Sequence, residues 1–577
     1  MKYIEHLKIL AKHFKKNMET ETTVAELKNL LCCSDRHVKT VVAYLHKTDF
    51  IHWKTQQGRG KKPKITVYVS LEDIILLQAK YLVEKGHYQR GFEYVQLLGL
   101  IKQQEFQQWF DASLGLIEEK DNKSIDLLRY TFYETRLILD PLYIMSRHDA
   151  HIVQQVFDKL LEYDSAADKL LPRIASHWES LDGKKWVFYL QKGVKFHNGR
   201  ELTSEDIKNT FQRFPENDPI KKNIKSIETP SLYIVVFYLT EVNYLFPNSL
   251  SNNKFSIVPI EEIEGKSETF KTHPIGTGPY RLSRHDKEMV RLDVFDQYYR
   301  SRPWLDRVEI IKTPTSFHNE KKHPLLLQSP NDSWRERSVN EEGGTYISIN
   351  CRKKGPFLKK EVRKQLLSFI HPEEFCLNPD NEIVAHSFLT EKSKKINKQN
   401  EIEVKHETAD LNFEIKIAVQ QIRPDANHIR EALILQNQLA AHQIRTTIQT
   451  IDINDMHPSL FQNYDLFVGG IALGENKLLS ALLAFQSPTL NIMPFATGEM
   501  KQFVDEHINQ IKKSKCAATQ WKIYFKIEKY LTENGLILFL KHRSHKIYEP
   551  KNSPYQNIKL NENGRIDYRK VWRKYNM

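Results

Sequence analysis

The 577 residues carry 85 Lys and Arg against 72 Asp and Glu, a net charge of +13, with 40% hydrophobic and 11% aromatic side chains. That length exceeds one ordinary core and calls for two or three domains, and the apolar content excludes wholesale disorder. Five cysteines (Cys32, Cys33, Cys351, Cys376, Cys516) without CxxC spacing exclude a disulfide framework or zinc cluster as the organising device.

The charge is uneven. Residues 1–70 hold fourteen basic and six acidic side chains, so this short stretch supplies +8 of the total. A basic module for a polyanion, joined to a nearly neutral body, is the expectation. In chain order, helices are predicted over Tyr3–Phe14, Val24–Leu31 (capped by Thr22 or Thr23) and Asp35–Lys47 (capped by Ser34). In the third, Val38, Val41, Val42 and Leu45 share one face and Arg36, Thr40, Ala43 and Lys47 the other. The β-prone runs "FIHWKT" and "ITVYVS" flank "QQGRGKKPK", a hairpin with a cationic tip. Three helices and a basic hairpin form a winged helix-turn-helix pattern over residues 1–70. Its expected partner is double-stranded DNA. The candidate DNA-binding residues are Arg36, His37, Lys39, Thr40 and Lys47 on the recognition helix and Arg59, Lys61, Lys62 and Lys64 on the wing.

Residues 71–120 read as a helical connector, with Ser70 and Asp73 as a capping pair and Gly86 as a stop. It is either a lever or a plain spacer. The body, 121–577, alternates strands and helices: "LLRYTFYE" as a first strand, a loop into an amphipathic helix, then Trp186–Leu190, turns at Gly193 and Asn198-Gly199, and a helix capped by Thr203. The segment Glu391–Thr408 reads as loop. Neither HExxH nor GxSxG occurs, "GTGPYR" lacks the GxGxxG spacing, and "SNNK" is a chance match to SxxK, so no catalytic set, no metal and no cofactor is expected. Adjacent Cys32 and Cys33 could form a redox switch but read as buried helix-end thiols. No window approaches the ~18 apolar residues of a membrane span, and Met1–Leu10 lacks the continuous apolar run of an export signal, so a cytoplasmic protein without a membrane partner is expected.

The body resembles the family 5 extracellular solute-binding proteins, the oligopeptide and dipeptide receptors of ABC transporters. The resemblance rests on "VFDKLLEYDSAADKLLPRIASHWESLDGKKWVFYLQKGVKFHNGRELTSEDIKNTF", "HPIGTGPYRL", "VFDQYYRSRPWLDRVEI", "YISINCRKKGPFLKKEVRKQLLSFI", "ILQNQLAAHQIRTTIQTID" and "YDLFVGGIAL", in that order. Joined to a basic winged helix, it is similar to the SgrR-like transcriptional regulators, known for responses to sugar-phosphate stress. The resemblance implies a multidomain α/β protein, a winged helix-turn-helix plus a two-lobed periplasmic-binding-protein-like (type II) body. It further implies a small solute, peptide or sugar-phosphate related, bordered by Leu139, Tyr143 and Arg147, by Gly276, Thr277 and Tyr280, and by Gly469, Gly470 and Glu475. Where the peptide receptors carry a Trp and an Asp after "YDLFVGG", this chain reads "IALGEN". A transcriptional regulator with a solute sensor is the leading expectation. The alternatives are a solute (peptide)-binding component of an ABC transporter and a DNA-binding protein whose body only mediates assembly.

Overall fold

The computed structural model describes residues 3–574 apart from 57, 59, 60, 120–123, 133–136, 145, 166, 315–333, 379, 380, 396–412, 424, 425, 453, 454, 456–459, 488, 489, 551–554 and 559–565. The chain divides into two compact units, one of residues 1–136, 282–293 and 306–329, the other of residues 137–281, 294–305 and 330–577.

The first unit begins with α1 (Ile4–His13), β1 (Thr20–Glu21), α2 (Val24–Leu31), α3 (Asp35–Lys47), β2 (Ile51–Lys54) and β3 (Lys64–Val67). Local chemistry sets the helix starts. Thr23 Oγ1 accepts from Glu26 N–H at 3.1 Å while the Glu26 carboxylate accepts from Thr23 N–H at 2.8 Å, a reciprocal cap that opens α2. Ser34 caps α3 through His37 N–H. Val38, Val41, Val42 and Leu45 are buried against Leu7, Leu10, Leu27, Leu31, Ile51, Ile65 and Val67. Each such side chain contributes about 1.5–3 kcal/mol of transfer free energy, enough to hold so small a module together. β2 and β3 pair antiparallel from Ile51↔Val67 to Lys54↔Lys64, and β1 adds to the far edge of β3. This is a winged helix.

The connector follows as α4 (Leu71–Glu84), α5 (Tyr88–Gln96) and α6 (Leu100–Asp111). Ser70 and Asp73 cap α4 reciprocally, and Gly86 at φ 78° supplies the left-handed residue that ends it. Gly91 lets α5 lie on α4, since a methyl group there would sit 2.6 Å from Val83 Cγ2. The connector is no free spacer. Leu76, Ala79, Val83, Phe92, Phe106 and Phe110 form one core with Met289 and Ile311 from the body. Gln89 reinforces the seam, donating through its backbone N–H to Glu288 Oε2 and through its side chain to Lys312 O, both at 2.8 Å. The sheet beneath joins Tyr280–His285, Met289–Val294, Arg307–Lys312, β5 (Ile125–Phe132) and β4 (Gly115–Glu119) in that order, with Arg307–Lys312 parallel to β5. β4 lies where the sequence reads as connector.

Two larger sheets organise the second unit, beside the two-stranded pairs Leu161–Asp164 with Lys169–Pro172 and Tyr555–Gln556 with Trp572–Arg573. Strands Ile224–Ser231, Ile234–Leu239, Lys185–Leu190 and Ala175–Glu179 form an antiparallel sheet over an aromatic core of Phe188, Phe196, Phe211, Phe214, Phe237, Phe246 and Phe255. The helix Ser204–Gln212 starts at Thr203 with Asp206 as its partner, as the sequence predicts. In the larger mixed sheet, Gly343–Ile349 pairs antiparallel with Leu466–Ala472 and with Ile537–Pro550, while Ile415–Arg423 runs parallel to Leu466–Ala472 and to Thr446–Asp452. Alternation sorts its residues. Tyr346, Ala418, Phe467 and Phe539 meet the helices Lys477–Gln486, Gly498–Lys513 and Ala517–Glu533, while Ile347, Ile417, Val419, Val468 and Leu540 meet Lys360–Ser368 and Ile429–Ala441. Apolar side chains on both faces require helices on both faces. The reading of Glu391–Thr408 as loop is corrected at its start, where Thr390–Lys395 is helical; residues 396–408 lie outside the described residues.

Candidate functional site

In the head, α3 turns Arg36, Lys39, Thr40, Ala43 and Lys47 to solvent, while His37 is half-buried with its ring against Tyr3 and His6. The Thr40 hydroxyl donates to Arg36 O at 3.0 Å, which leaves its oxygen as an acceptor facing outward. The reading of Cys32 and Cys33 as buried is corrected: Cys32, left-handed at φ 49°, closes α2 at the tight turn into α3, where it is exposed and Cys33 is half-buried. On the wing Lys61 is exposed, Lys62 pairs with Glu26 at 3.2 Å and Lys64 with Glu19 at 2.6 Å. Both pairs are solvent-exposed, and pairs of this kind contribute about 0–1 kcal/mol, so a phosphate can displace the carboxylates at small cost. Arg59 lies outside the described residues.

In the second unit the predicted ligand residues fall into two kinds. Leu139 is buried and donates its N–H to Lys271 O, whereas Tyr143 is exposed with the Lys271 ammonium over its ring. Arg147 opens the helix Arg147–Val156, which Ser146 and Asp149 cap. Gly276 and Gly278 are there for close backbone approach: a methyl group would lie 2.1 Å from Val156 O at the first and 2.5 Å from Gln155 O at the second. Between them, the buried Thr277 hydroxyl accepts from Asp158 N–H at 3.1 Å. Tyr280 is also buried and donates to Leu305 O. His197, from the "KFHNG" run, accepts from Gly276 N–H at Nδ1 and donates from Nε2 to Gly278 O at 3.0 Å. Burial, opposed by that bond to Gly278, lowers its pKa to about 4, so the ring is neutral.

Gly470 donates its N–H to Gln420 Oε1 and lies under His428, and a methyl group at Gly469 would meet the Phe467 ring at 2.4 Å. Past this strand end Glu475 accepts from Gln154 Nε2 at 3.3 Å. That bond brings the helix Arg147–Val156, with the Gly276–Gly278 turn packed on its end, to the strand end Gly469–Glu475.

The same corner holds charged residues that the sequence reading missed. Glu162 pairs with Arg173 at 2.6 Å and with Arg569 at 3.1 Å. Burial raises the Glu162 carboxyl, but the two guanidinium groups outweigh it and hold the group well below the usual carboxylate range. Asp567, paired with Arg569, is likewise pulled against its burial to about 2. Lys159 is buried, which lowers its pKa while Glu475 and Glu162 oppose the shift. Charges inside the apolar run "VFDKLLEYD" were the available signal. Arg569 gave none, being 407 residues from Glu162.

Residues 169–490 match the model of bacterial extracellular solute-binding proteins, family 5 Middle, over more than half of the chain. The chain belongs to this family. Residues 2–120 match a second model, the sugar transport-related sRNA regulator N-terminal domain. YhjP of Bacillus subtilis is 30% identical over 503 residues, covering 81% of each chain. The HTH-type transcriptional regulator SgrR of Salmonella typhimurium is 27% identical over 448 residues, 76% of this chain and 77% of that one. A dipeptide-binding protein from Pseudoalteromonas sp. SM9913, solved with Met-Leu, aligns with 78% of this chain and all of its own at a TM-score of 0.61 and 18% identity. The last likeness is one of fold. A family 5 body behind a winged-helix head is thus the SgrR-like arrangement. Among the described residues no helix is long and apolar enough to cross a membrane.

Proposed function

We propose that the protein is a cytoplasmic transcriptional regulator that reads double-stranded DNA with α3 and the wing and senses a small solute in its family 5 body. One observation carries the reading: a winged helix with an exposed basic recognition face stands on the same chain as a solute-binding fold. Residues 1–70 act as the DNA-binding domain, 71–120 as the connector and 121–577 as the sensor. Arg36, Lys39, Thr40 and Lys47 enter the major groove with His37 at their edge, and Arg59, Lys61, Lys62 and Lys64 follow the phosphates. The solute, peptide or sugar-phosphate related, is bordered by Leu139, Tyr143, Arg147, Gly276, Thr277, Tyr280, Gly469, Gly470 and Glu475. Leu139, Thr277 and Tyr280 shape the wall from behind, since they are buried and their polar groups are engaged. An importer component would leave the basic head without a task. Selection of duplexes from random-sequence DNA by the full chain tests the reading: enrichment of a common motif is expected, and uniform recovery of all sequences would overturn it.

A further inference from the structure

Lys159 follows the helix Arg147–Val156 and is 6% exposed. Its ammonium donates to Asn253 Oδ1 at 2.9 Å, and among the described residues it makes no ion pair and no second hydrogen bond. Asn253 in turn donates to Ala150 O, which fixes its oxygen towards the lysine. Three of the nearby carboxylates have other cations: Glu162 has Arg173 and Arg569, Asp567 has Arg569, and Asp158 lies 3.8 Å from Arg173, while Glu475 accepts from Gln154 and acts on Lys159 through its charge. An ammonium has three donors, and here one is engaged.

Polar groups on the helix that precedes it and beside Glu475 are also unused. Gln155 is fully buried and neither atom of its amide has a partner. Asn476, adjacent to Glu475, caps the helix Lys477–Gln486 with its oxygen, leaving its buried Nδ2 without an acceptor. The Gln154–Glu475 bond ties these two segments together. An unmet buried polar group costs about 1–3 kcal/mol, so several in one corner point to an occupant that supplies acceptors.

We propose that Lys159 grips an anionic oxygen group of the ligand, a carboxylate or a phosphate, with the Gln155 and Asn476 amides as further donors. The inference deepens the sensor reading and rests on it. The test is thermal unfolding of the full chain in sodium acetate and in sodium phosphate, each against sodium chloride at equal ionic strength, for wild type, K159M and Q155L. In wild type, acetate or phosphate raises the melting temperature by a few degrees in a saturable way, and the stronger of the two identifies the group. K159M loses that response while melting no lower than wild type, because an apolar chain avoids the desolvation of a buried ammonium. Q155L weakens the response. Neither anion stabilising wild type, or K159M retaining the response, overturns the proposal. So does a K159M chain that melts much lower or fails to fold, which would make Lys159 a structural countercharge. DNA binding by the same preparations separates the two readings: a chain that binds DNA and ignores both anions loses this site alone, whereas one that binds an anion and no DNA loses the regulator reading.

Discussion

His197 stitches the "KFHNG" run to the Gly-Thr-Gly turn, and it does so only as a neutral ring. Its pKa is about 4 in the fold against 6.5 for the free side chain, so the unfolded chain takes up the proton first as pH falls. The stability it contributes is present above pH 6.5 and is lost towards pH 4, a difference of about 3 kcal/mol at 1.36 kcal/mol per unit. His542, lowered by burial to about 4, adds to the same slope. Thermal melts from pH 7 to pH 5 are therefore expected to fall more steeply for wild type than for H197Q, and parallel curves would refute this role. Gly276 makes a second residue-scale prediction. A methyl group there meets backbone 2.1 Å away, which cannot swing aside as a side-chain tip can. Gly276→Ala should lose roughly 1–3 kcal/mol in urea unfolding. In the sequence this glycine reads as a pocket turn, whereas its requirement comes from Val156 O, a partner that no local pattern announces.

At the scale of elements, those with local instructions were legible. Thr22 or Thr23, Ser34, and the spacing of Val38, Val41, Val42 and Leu45 mark α2 and α3 with the bounds observed, and the structure settles the first cap on Thr23. β1 has two residues and no periodicity to read, and β4 follows the connector helices without a break in composition. The connector's docking was invisible for another reason: Met289, Ile311 and Glu288, which receive it, lie about two hundred positions away. Because α3 presents Arg36 and Thr40 near its N-terminal end, changing either to Ala should alter which duplexes are preferred, each lost base contact costing about 1–3 kcal/mol of discrimination. Binding-site selection with the variants checks this, and an unchanged motif would move base reading to other residues.

Across the whole molecule, the sequence showed the two modules and their order but little of the polar corner, whose charges come from residues as far apart as Asp158 and Arg569. If a bound solute shifts the body between two states that differ in DNA affinity, thermodynamic reciprocity requires that DNA shift solute affinity equally, typically by about 1–3 kcal/mol. Titrating a stabilising solute into free and duplex-bound protein should show that difference, and equal affinities would uncouple sensor from head. The claim on which all this stands is that the head binds DNA through its wing and α3. Its most direct measurement is the affinity of the full chain for a selected duplex from 50 to 200 mM salt, for wild type and for the double variant K61A/K62A. Removing the two lysines should lower the log-log salt slope by about two units, at roughly 0.9 per phosphate contact, and weaken binding to all sequences alike. An unchanged slope would contradict it.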